Sequence, residues 1–403
     1  MTDFFKEKNL LALYPAEDSG FPMRFYPLKT YFKSVHLLNY AETCCTLGIG
    51  AAEKHIRDLI SREKIDVVLC CPFASDYQLS VDFFASLRKK VRLAFWFPDD
   101  STYFESYNRY YAQAADAIIT PDPFAEFAYK RLEIPALVCQ DLTASNQYFP
   151  VKTEKTANVC FIGDLRKRGR REYIEFLEAA GINVLVYGQG TANGYLPPEK
   201  ISEYTCKSRI NLNFSQIGVL DWKNGDEPLL NRVRQNTGRP REIALTGAFC
   251  LSEYSPSLEM MFKPGKEIDS FRDKAELLEK VKFYLANPEK REEMARAAHE
   301  YAEKHYRADA YAPRLLRDLA DRFPEAQEGR HYGRLYFSRG FKTREINSLT
   351  FILFVMLKRR SWGAALELLP RLFKHGPLVF LAGFAGGLRR VLGNASGKVT
   401  GKR

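Results

Sequence analysis

A run of basic residues between two predicted elements is the first feature of the sequence that could do chemistry. Residues 163–171 join a predicted strand at 158–163 to a predicted helix at 171–180. The free N–H groups and the dipole of a helix N-terminus attract an anion, so cations there oppose the dipole unless an anionic ligand joins them. A diphosphate would supply that charge, and Gly163 would let it approach the backbone. A solvated charge run is the alternative, and the pattern leaves both open. The basic residues are Arg166, Lys167, Arg168, Arg170 and Arg171.

A short helix followed by a strand is predicted from Pro240 onward. Proline suits the first helical turn, and Gly247 suits the left-handed residue past its end. Residues 248–251 form a short apolar run that is typical of a buried parallel strand. This arrangement places Glu242 and the turn that ends at Glu259 at the open end of a sheet, where doubly wound folds bind ligands.

Glu242 is the carboxylate in this segment with the clearest possible chemistry. A carboxylate can accept hydrogen bonds from both hydroxyls of a ribose. The alternative is a first-turn glutamate that is favoured only by the helix dipole. Arg239 and Arg241 flank it, and they could meet a phosphate, meet an acceptor or pair with Glu242.

Two adjacent carboxylates, Asp99 and Asp100, follow the predicted strand at 92–97. At the end of a strand facing a cleft, either could act as a general base that takes the proton of an acceptor. Either could instead cap a helix that begins near Ser101. A Gly-x-Gly pair, Gly188 and Gly190, also ends a predicted strand and would allow a close backbone approach, although most such pairs are plain turns.

Several motifs occur in an order that resembles the CgeB-type (spore maturation) glycosyltransferases. That group uses nucleotide sugars and has two Rossmann-like domains, the GT-B fold. The resemblance covers roughly residues 60–310. It rests on Phe95-Trp-Phe-Pro-Asp-Asp100, Phe161-Ile-Gly163, Arg170-Arg-Glu172, Arg239-Pro-Arg-Glu-Ile-Ala, Gly247-Ala-Phe-Cys-Leu, Ser255-Pro-Ser-Leu-Glu259, Phe262-Lys-Pro-Gly-Lys-Glu-Ile, Phe271-Arg-Asp and Tyr284-Leu-Ala-Asn-Pro-Glu-Lys-Arg.

The resemblance implies a role for each candidate site residue. Arg170 or Arg171 would face the donor diphosphate, Glu242 would bind the ribose, and Asp99 or Asp100 would lie against the acceptor or the transferred sugar. A nucleotide diphosphate sugar is expected as substrate, with no cofactor and no metal site, because no metal-ligand spacing occurs. The expected donor-binding residues are Gly163, Arg170, Arg171, Gly188, Arg241, Glu242 and Glu259.

One position departs from the pattern of related retaining transferases. Many of them carry a second glutamate eight residues before the ribose glutamate, where this sequence has Arg234. That role therefore has no assigned residue. The polar segment at 221–236 is either a loop that orders over the donor or a surface insertion.

Length and composition indicate a globular α/β protein of more than one domain. The chain has 403 residues, of which 46% are hydrophobic and 27% charged. We predict an N-terminal Rossmann-like acceptor domain at 1–150, with a long helical region after its first strand, and a Rossmann-like nucleotide-sugar domain at 151–310. Their parallel sheets would face a cleft. A basic helical extension follows at 311–403.

We interpret the eight cysteines as reduced core residues of a cytoplasmic protein, and we expect no secretory signal at the start of the chain.

The positive charge of the chain is concentrated at its C-terminus. The whole chain carries +11, while residues 331–403 hold 14 Lys or Arg against 2 Asp or Glu, which leaves the body close to neutral. Two apolar runs, 349–357 and 376–388, are followed by basic residues and are too short to span a bilayer. They predict helices that lie on an anionic membrane surface, and packing on the protein is the alternative. A nucleic-acid partner is not expected, because the body lacks a basic excess.

Taken together, these features predict a cytoplasmic, peripherally membrane-bound glycosyltransferase, hexosyltransferase-like, that acts on a glycan, a glycolipid or a protein. The alternative is an inactive GT-B-fold protein that binds a sugar nucleotide or scaffolds a surface-glycan assembly complex.

Overall fold

The computed structural model describes most of the chain. The described ranges are 3–16, 22–139, 142–143, 146–216, 234–235, 238–323 and 335–396, with side chains described up to Gly393. The polar segment predicted as a donor loop or surface insertion, 221–236, lies outside the described residues except for Arg234 and Gln235.

The first domain is built on a parallel sheet with six strands among the described residues, in the order β2-β1-β3-β4-β5-β6. The predicted helical region after the first strand is wrong in its first part, because residues 34–39 form edge strand β2. The strands are β1 (Asn9–Tyr14), β2 (Ser34–Asn39), β3 (Val67–Cys70), β4 (Arg92–Trp96), β5 (Ala117–Thr120) and β6 (Ala136–Val138).

The second domain has a parallel sheet with five described strands, in the order β11-β10-β9-β7-β8. The carboxyl ends of parallel strands meet at one edge of a sheet, so the loops after β7, β8, β9 and β10 are brought together. The strands are β7 (Ala157–Ile162), β8 (Val184–Tyr187), β9 (Ser208–Asn213), β10 (Cys250–Glu253) and β11 (Asp269–Phe271).

Helices cover both faces of the two sheets, as expected for a doubly wound fold. Their ends follow the local sequence: Asp273 caps the helix that begins at residue 274, because its Oδ1 accepts from Glu276 N at 2.9 Å, while Arg272 N donates back to Glu276 Oε2 at 2.8 Å. The helices of the first domain are α1 (Asp3–Lys6), α2 (Tyr40–Leu47), α3 (Ile49–Arg62), α4 (Val81–Leu87), α5 (Asp100–Tyr103), a π-helix (Phe104–Asn108), α6 (Arg109–Ala112) and α7 (Pro123–Arg131). Those of the second are α8 (Arg170–Ala179), α9 (Ile201–Lys207), α10 (Arg239–Leu245), α11 (Leu258–Met261), α12 (Lys274–Ala286) and α13 (Pro288–Tyr306).

The remaining helices return to the first domain. Leu315 and Leu319 pack into the same core as Trp96, on one side of the first sheet. Ile352 packs into the core on the other side, and Gly383 lets the last helix approach Ile346 closely, since an added Cβ would lie 2.5 Å from Ile346 Cβ. The extension predicted at 311–403 is thus, where described, a layer on the first domain. These helices are α14 (Ala308–Ala320), α15 (Arg339–Lys358), α16 (Trp362–Phe373) and α17 (Pro377–Ser396).

The apolar run at 349–357 does not lie on the outer surface. Leu349, Ile352, Leu353 and Met356 are all buried in the first-domain core. The prediction of a surface helix from this run is therefore wrong for these side chains, because their periodicity fits a core-facing helix equally well. Among the residues described, no helix is both long and apolar enough to cross a bilayer.

Candidate active site

The glycine loops after β7 and β8 are packed against each other. Gly163 N donates to Tyr187 O at 2.8 Å, and Leu165 N donates to Gln189 O at 2.9 Å. Gly188 has φ of +126°, and a Cβ there would lie 2.1 Å from Gly163 O. Gly188 is thus required by this close approach of two backbones, a reason that the sequence did not reveal.

Arg170 is the first residue of α8, and its side chain is buried. Its Nη1 donates to Asp164 O at 3.1 Å, and its guanidinium carbon lies 5.6 Å from the ring centroid of Phe161. Burial lowers the pKa of Arg170 to about 10, opposed by the charges of Asp164 and Glu253 and reinforced by Arg239. Its Nε is buried with no hydrogen-bond partner among the described residues. A buried guanidinium with an unused donor at a helix N-terminus is a place for an anionic oxygen.

Arg171, the next residue, is exposed. Its Nη2 donates to Gly190 O at 3.0 Å, so it braces the outside of the glycine loop. Arg166 is also exposed and forms an ion pair with Asp164 at 2.9 Å. Of the two arginines expected at the diphosphate, the structure therefore buries Arg170 and leaves Arg171 at the surface.

Glu242 lies in the first turn of α10 and pairs with Arg239, with Oε2 and Nη1 2.8 Å apart. The positive charge of Arg239 also lowers the pKa of Arg170, so the two guanidinium groups lie close enough to repel each other. Arg241 is fully buried beside them, and a Cβ on Gly238 would lie 2.8 Å from both Arg241 Nη2 and Glu242 Oε1. The structure thus links Glu242, through Arg239, to the arginine after Gly163 in one group of charges, and the role of this group in donor binding stays a prediction.

Glu253 belongs to the same group, although it was not among the expected residues. It ends β10, is buried, and its Oε2 accepts from Ser215 N and Gln216 N, both at 2.9 Å. Its Oε1 lies 3.6 Å from Arg234 Nε. Its charge also raises the pKa of Arg170. The available signal was its position directly after an apolar strand, at the edge where ligands bind.

Glu259 lies at the exposed surface of α11. Its Oε1 accepts from Tyr254 Oη at 3.0 Å, and the guanidinium of Arg272 lies 4.5 Å from the ring centroid of Tyr254. Within the described residues, no contact joins Glu259 to Arg170 or Glu242. The structure does not bring this expected donor-binding residue into the group.

Asp99 lies where the two domains meet. It is at the N-cap position of α5 but makes no side-chain cap hydrogen bond. Burial raises its pKa, while the charges of Lys167 and Arg24 and a hydrogen bond from Gln235 lower it. Gln235 Nε2 also donates to Pro98 O at 3.3 Å. Lys167 and Gln235 come from the second domain, so the carboxylate of Asp99 faces that domain.

Asp100 points into the first domain instead. It is fully buried, and its Oδ1 accepts from Tyr129 Oη at 2.5 Å and from Asn108 Nδ2 at 2.8 Å. Burial raises its pKa to about 7, while hydrogen bonds from Thr120, Tyr129 and Asn108 lower it. The two adjacent carboxylates thus have different surroundings, and Asp100 is a core residue.

Two Rossmann-like domains with parallel sheets are the architecture of the GT-B class of proteins. The architecture agrees with the fold expected from the sequence.

Comparisons with known proteins agree with this class. Residues 166–317 match the family described as glycosyl transferase-like. The fold is similar to HepE from Anabaena in complex with UDP and glucose, at TM-score 0.54 and 10% identity over 78% of this chain and 100% of that one. It is similar to sucrose-phosphate synthase from Thermosynechococcus elongatus, at TM-score 0.56, 10% identity and the same coverage. A glycosyltransferase from Rickettsia africae gives TM-score 0.54 and 9% identity over 79% of this chain and 98% of that one.

No curated protein sequence matches the chain. The chain thus has the GT-B fold, and its residues 166–317 are similar to a glycosyl transferase-like family, while the finer resemblance to CgeB-type proteins stays a prediction.

Asp100→Asn should change how stability depends on pH. Because the pKa of Asp100 is raised in the folded state, its contribution to stability is full below about pH 4 and is lost as the pH rises to about 7. The free energy of unfolding of the variant should exceed that of the wild type by about 2–4 kcal/mol at pH 8, and the two should differ little at pH 4. Urea unfolding at both pH values measures this. Asp58→Asn, at an exposed carboxylate of α3, is the control, and parallel pH profiles for wild type and Asp100→Asn would contradict the burial argument.

Proposed function

We propose that the protein transfers a sugar from a nucleotide diphosphate sugar to an acceptor held by the first domain. The observation that carries this proposal is the buried Arg170, which has an unused donor within the group of charges that includes Glu242. The UDP complex of HepE, which shares the fold, supports a sugar nucleotide as the donor.

In this proposal the second domain binds the donor through charges from separate loops. Arg170 and the N-terminal N–H groups of α8 meet the diphosphate, and Arg239 adds a second guanidinium. Glu242 accepts the ribose hydroxyls, and it would exchange part of its pairing with Arg239 for them. Negative charge on the leaving diphosphate grows as the glycosidic bond breaks, so fixed cations stabilise the transition state more than the ground state. No bound metal is required for this role.

Asp99 is the residue that we propose as the general base. It faces the second domain, and burial raises its pKa toward the range in which a carboxylate can take a proton. Lys167, whose pKa is lowered first by burial and then by Arg170, lies close enough to Asp99 to interact with it. Asp100 has no such role, because its carboxylate is enclosed by Tyr129 and Asn108.

Arg170→Gln and Arg171→Gln form a matched pair that tests the donor site. We expect Arg170→Gln to lower transfer or hydrolysis of the sugar nucleotide by about 10²–10³-fold, because one preorganised donor to the leaving group is lost. Arg171→Gln should stay within about threefold of wild type, since its side chain is exposed. A panel of sugar nucleotides with product detection measures both, and thermal unfolding confirms that the variants are folded.

Equal activity of wild type and Arg170→Gln would contradict the diphosphate assignment. Stable binding of a sugar nucleotide by the wild type, with neither hydrolysis nor transfer to any acceptor tried, would support the alternative of a sugar-nucleotide-binding protein.

We also propose that the basic C-terminal helices rest on an anionic membrane surface. The support is an exposed apolar stripe on α16, where Trp362, Leu366 and Phe373 are 61%, 65% and 57% exposed and lie on one helical face. Leu378 and Leu381 of α17 are also exposed. Such a patch is unusual on a soluble surface, and the exposed cations Lys358, Arg359, Arg360 and Arg389 lie on the same group of helices.

Replacing Trp362, Leu366 and Phe373 together by Ser should abolish vesicle binding. Each large apolar side chain contributes about 1–2 kcal/mol when it enters the interface, so the loss should exceed about a hundredfold. Sedimentation with vesicles that contain an anionic phospholipid measures it, and added salt should weaken wild-type binding. Phe127→Ser removes a side chain that is 61% exposed on α7 and serves as the control. Unchanged binding by the triple variant would exclude this face.

A further inference from the structure

A cavity of about 330 Å³ lies between the first domain and the C-terminal helices. Its walls come from α3, the loop after β3, the start of α4, the π-helix, α6, α15, α16 and the turn after α16. The volume is at the lower end of the usual range for small-molecule sites, about 300–1,000 Å³. None of the residues assigned to the candidate active site lines it.

One part of the wall is apolar and aromatic. The cavity is lined on this side by Leu79, Tyr107, Tyr111, Phe341 and Leu349. Tyr111 Oη already donates to Leu79 O at 2.9 Å, so its ring rather than its hydroxyl is offered to a ligand. This side of the cavity would accommodate an alkyl or aromatic body.

Each carboxylate in the wall pairs with at least one basic residue. Four acidic residues line the cavity, and each forms an ion pair with a residue of α16, α17 or the turn between them. The pairs are Glu53 Oε2 with Arg371 Nη2 at 2.8 Å, Asp76 Oδ2 with Arg390 Nη2 at 2.6 Å, Asp82 Oδ2 with Lys374 Nζ at 2.8 Å, and Glu345 with Lys374 Nζ at 3.2 Å and His375 Nε2 at 2.5 Å.

Arg344 is a cation in this wall for which the described part of the chain supplies no carboxylate. Its Nη2 donates to Ser106 O at 2.8 Å. Burial lowers its pKa, an effect that Tyr110 partly opposes. Arg57 also lacks a carboxylate within the described ranges, and it lies 4.8 Å from the ring centroid of Phe83. A half-buried guanidinium without a counter-charge, such as that of Arg344, is costly, and an anionic ligand would offset that cost.

We propose that this cavity binds a small amphiphilic anion, namely a phosphate ester with an apolar or sugar body, whose phosphate pairs with Arg344. Lys374 and Arg371 remain paired with their carboxylates and Arg57 is exposed to solvent, which leaves Arg344 as a half-buried cation that an anion can meet. The guanidinium can donate two parallel hydrogen bonds to a phosphate, which fixes its orientation. The site goes beyond the proposed transfer reaction, and its occupancy does not require that reaction.

The test is equilibrium binding of hexyl phosphate by calorimetry, with hexanol and glucose 1-phosphate as further probes. All measurements use the full chain carrying Arg170→Gln, so that phosphate bound at the candidate active site is not counted. In that background we expect saturable binding of hexyl phosphate, and an added Arg344→Gln should weaken it by about ten- to hundredfold. Arg344→Lys, which keeps the charge, should retain most of the affinity.

The control is Arg131→Gln, which removes an exposed charge of α7 away from the cavity wall and should leave binding unchanged. Hexanol should bind more weakly than hexyl phosphate and show no dependence on Arg344. Glucose 1-phosphate that binds with the same dependence on Arg344 would identify a sugar phosphate as the source of the anion, whereas preference for hexyl phosphate would identify a lipid phosphate. Absence of saturable binding by every phosphate would overturn the site, and so would an affinity for hexyl phosphate that Arg344→Gln leaves unchanged.

Discussion

The candidate site depends on one buried positive charge, that of Arg170 at the first turn of α8. A guanidinium is seldom buried beside a helix N-terminus, because burial and the helix dipole both disfavour it. Here Asp164 and Glu253 supply nearby negative charge, and the ring of Phe161 covers one side. The Nε donor of Arg170 has no hydrogen-bond partner among the described residues, which is the basis of the proposed donor site. We interpret the packed glycine loops and the ion pair of Glu242 with Arg239 as the surroundings that position the Arg170 guanidinium.

Much of the second domain could be predicted from the sequence. Short apolar runs followed by glycine or polar turns indicated strands β7 to β10 nearly at their observed positions, and parallel pairing then required their loops to meet. That is why Glu242 and the basic loop after Gly163 could be placed together. The choice between Arg170 and Arg171 could not be made in advance, because it depends on the rotation of α8 against the sheet. The same limit applied to Asp99 and Asp100, which differ by one residue at the start of α5.

Long-range packing accounts for most of what the sequence did not reveal. Glu253 joins this group of charges because the backbone N–H groups of Ser215 and Gln216, in the loop after β9, donate to its carboxylate. The apolar run at 349–357 has the periodicity of an interfacial helix, but the first domain provides a core that buries it. Once α15 is buried, α16 and α17 become the outer layer. The exposed stripe at Trp362 and the cavity at Arg344 are both consequences of that packing.

The most direct test of the central claim compares nucleotide affinities of the wild type, Arg170→Gln and Glu242→Gln by calorimetry. The ligands are UDP, UMP and 2′-deoxy-UDP. If Arg170 meets the diphosphate and Glu242 the ribose, Arg170→Gln removes most of the preference for UDP over UMP and keeps the preference for ribose. Glu242→Gln should remove most of the preference for UDP over 2′-deoxy-UDP and keep the preference for UDP over UMP. Each lost preference should correspond to a change in relative affinity of about tenfold or more. Wild-type preferences in both variants would contradict the account.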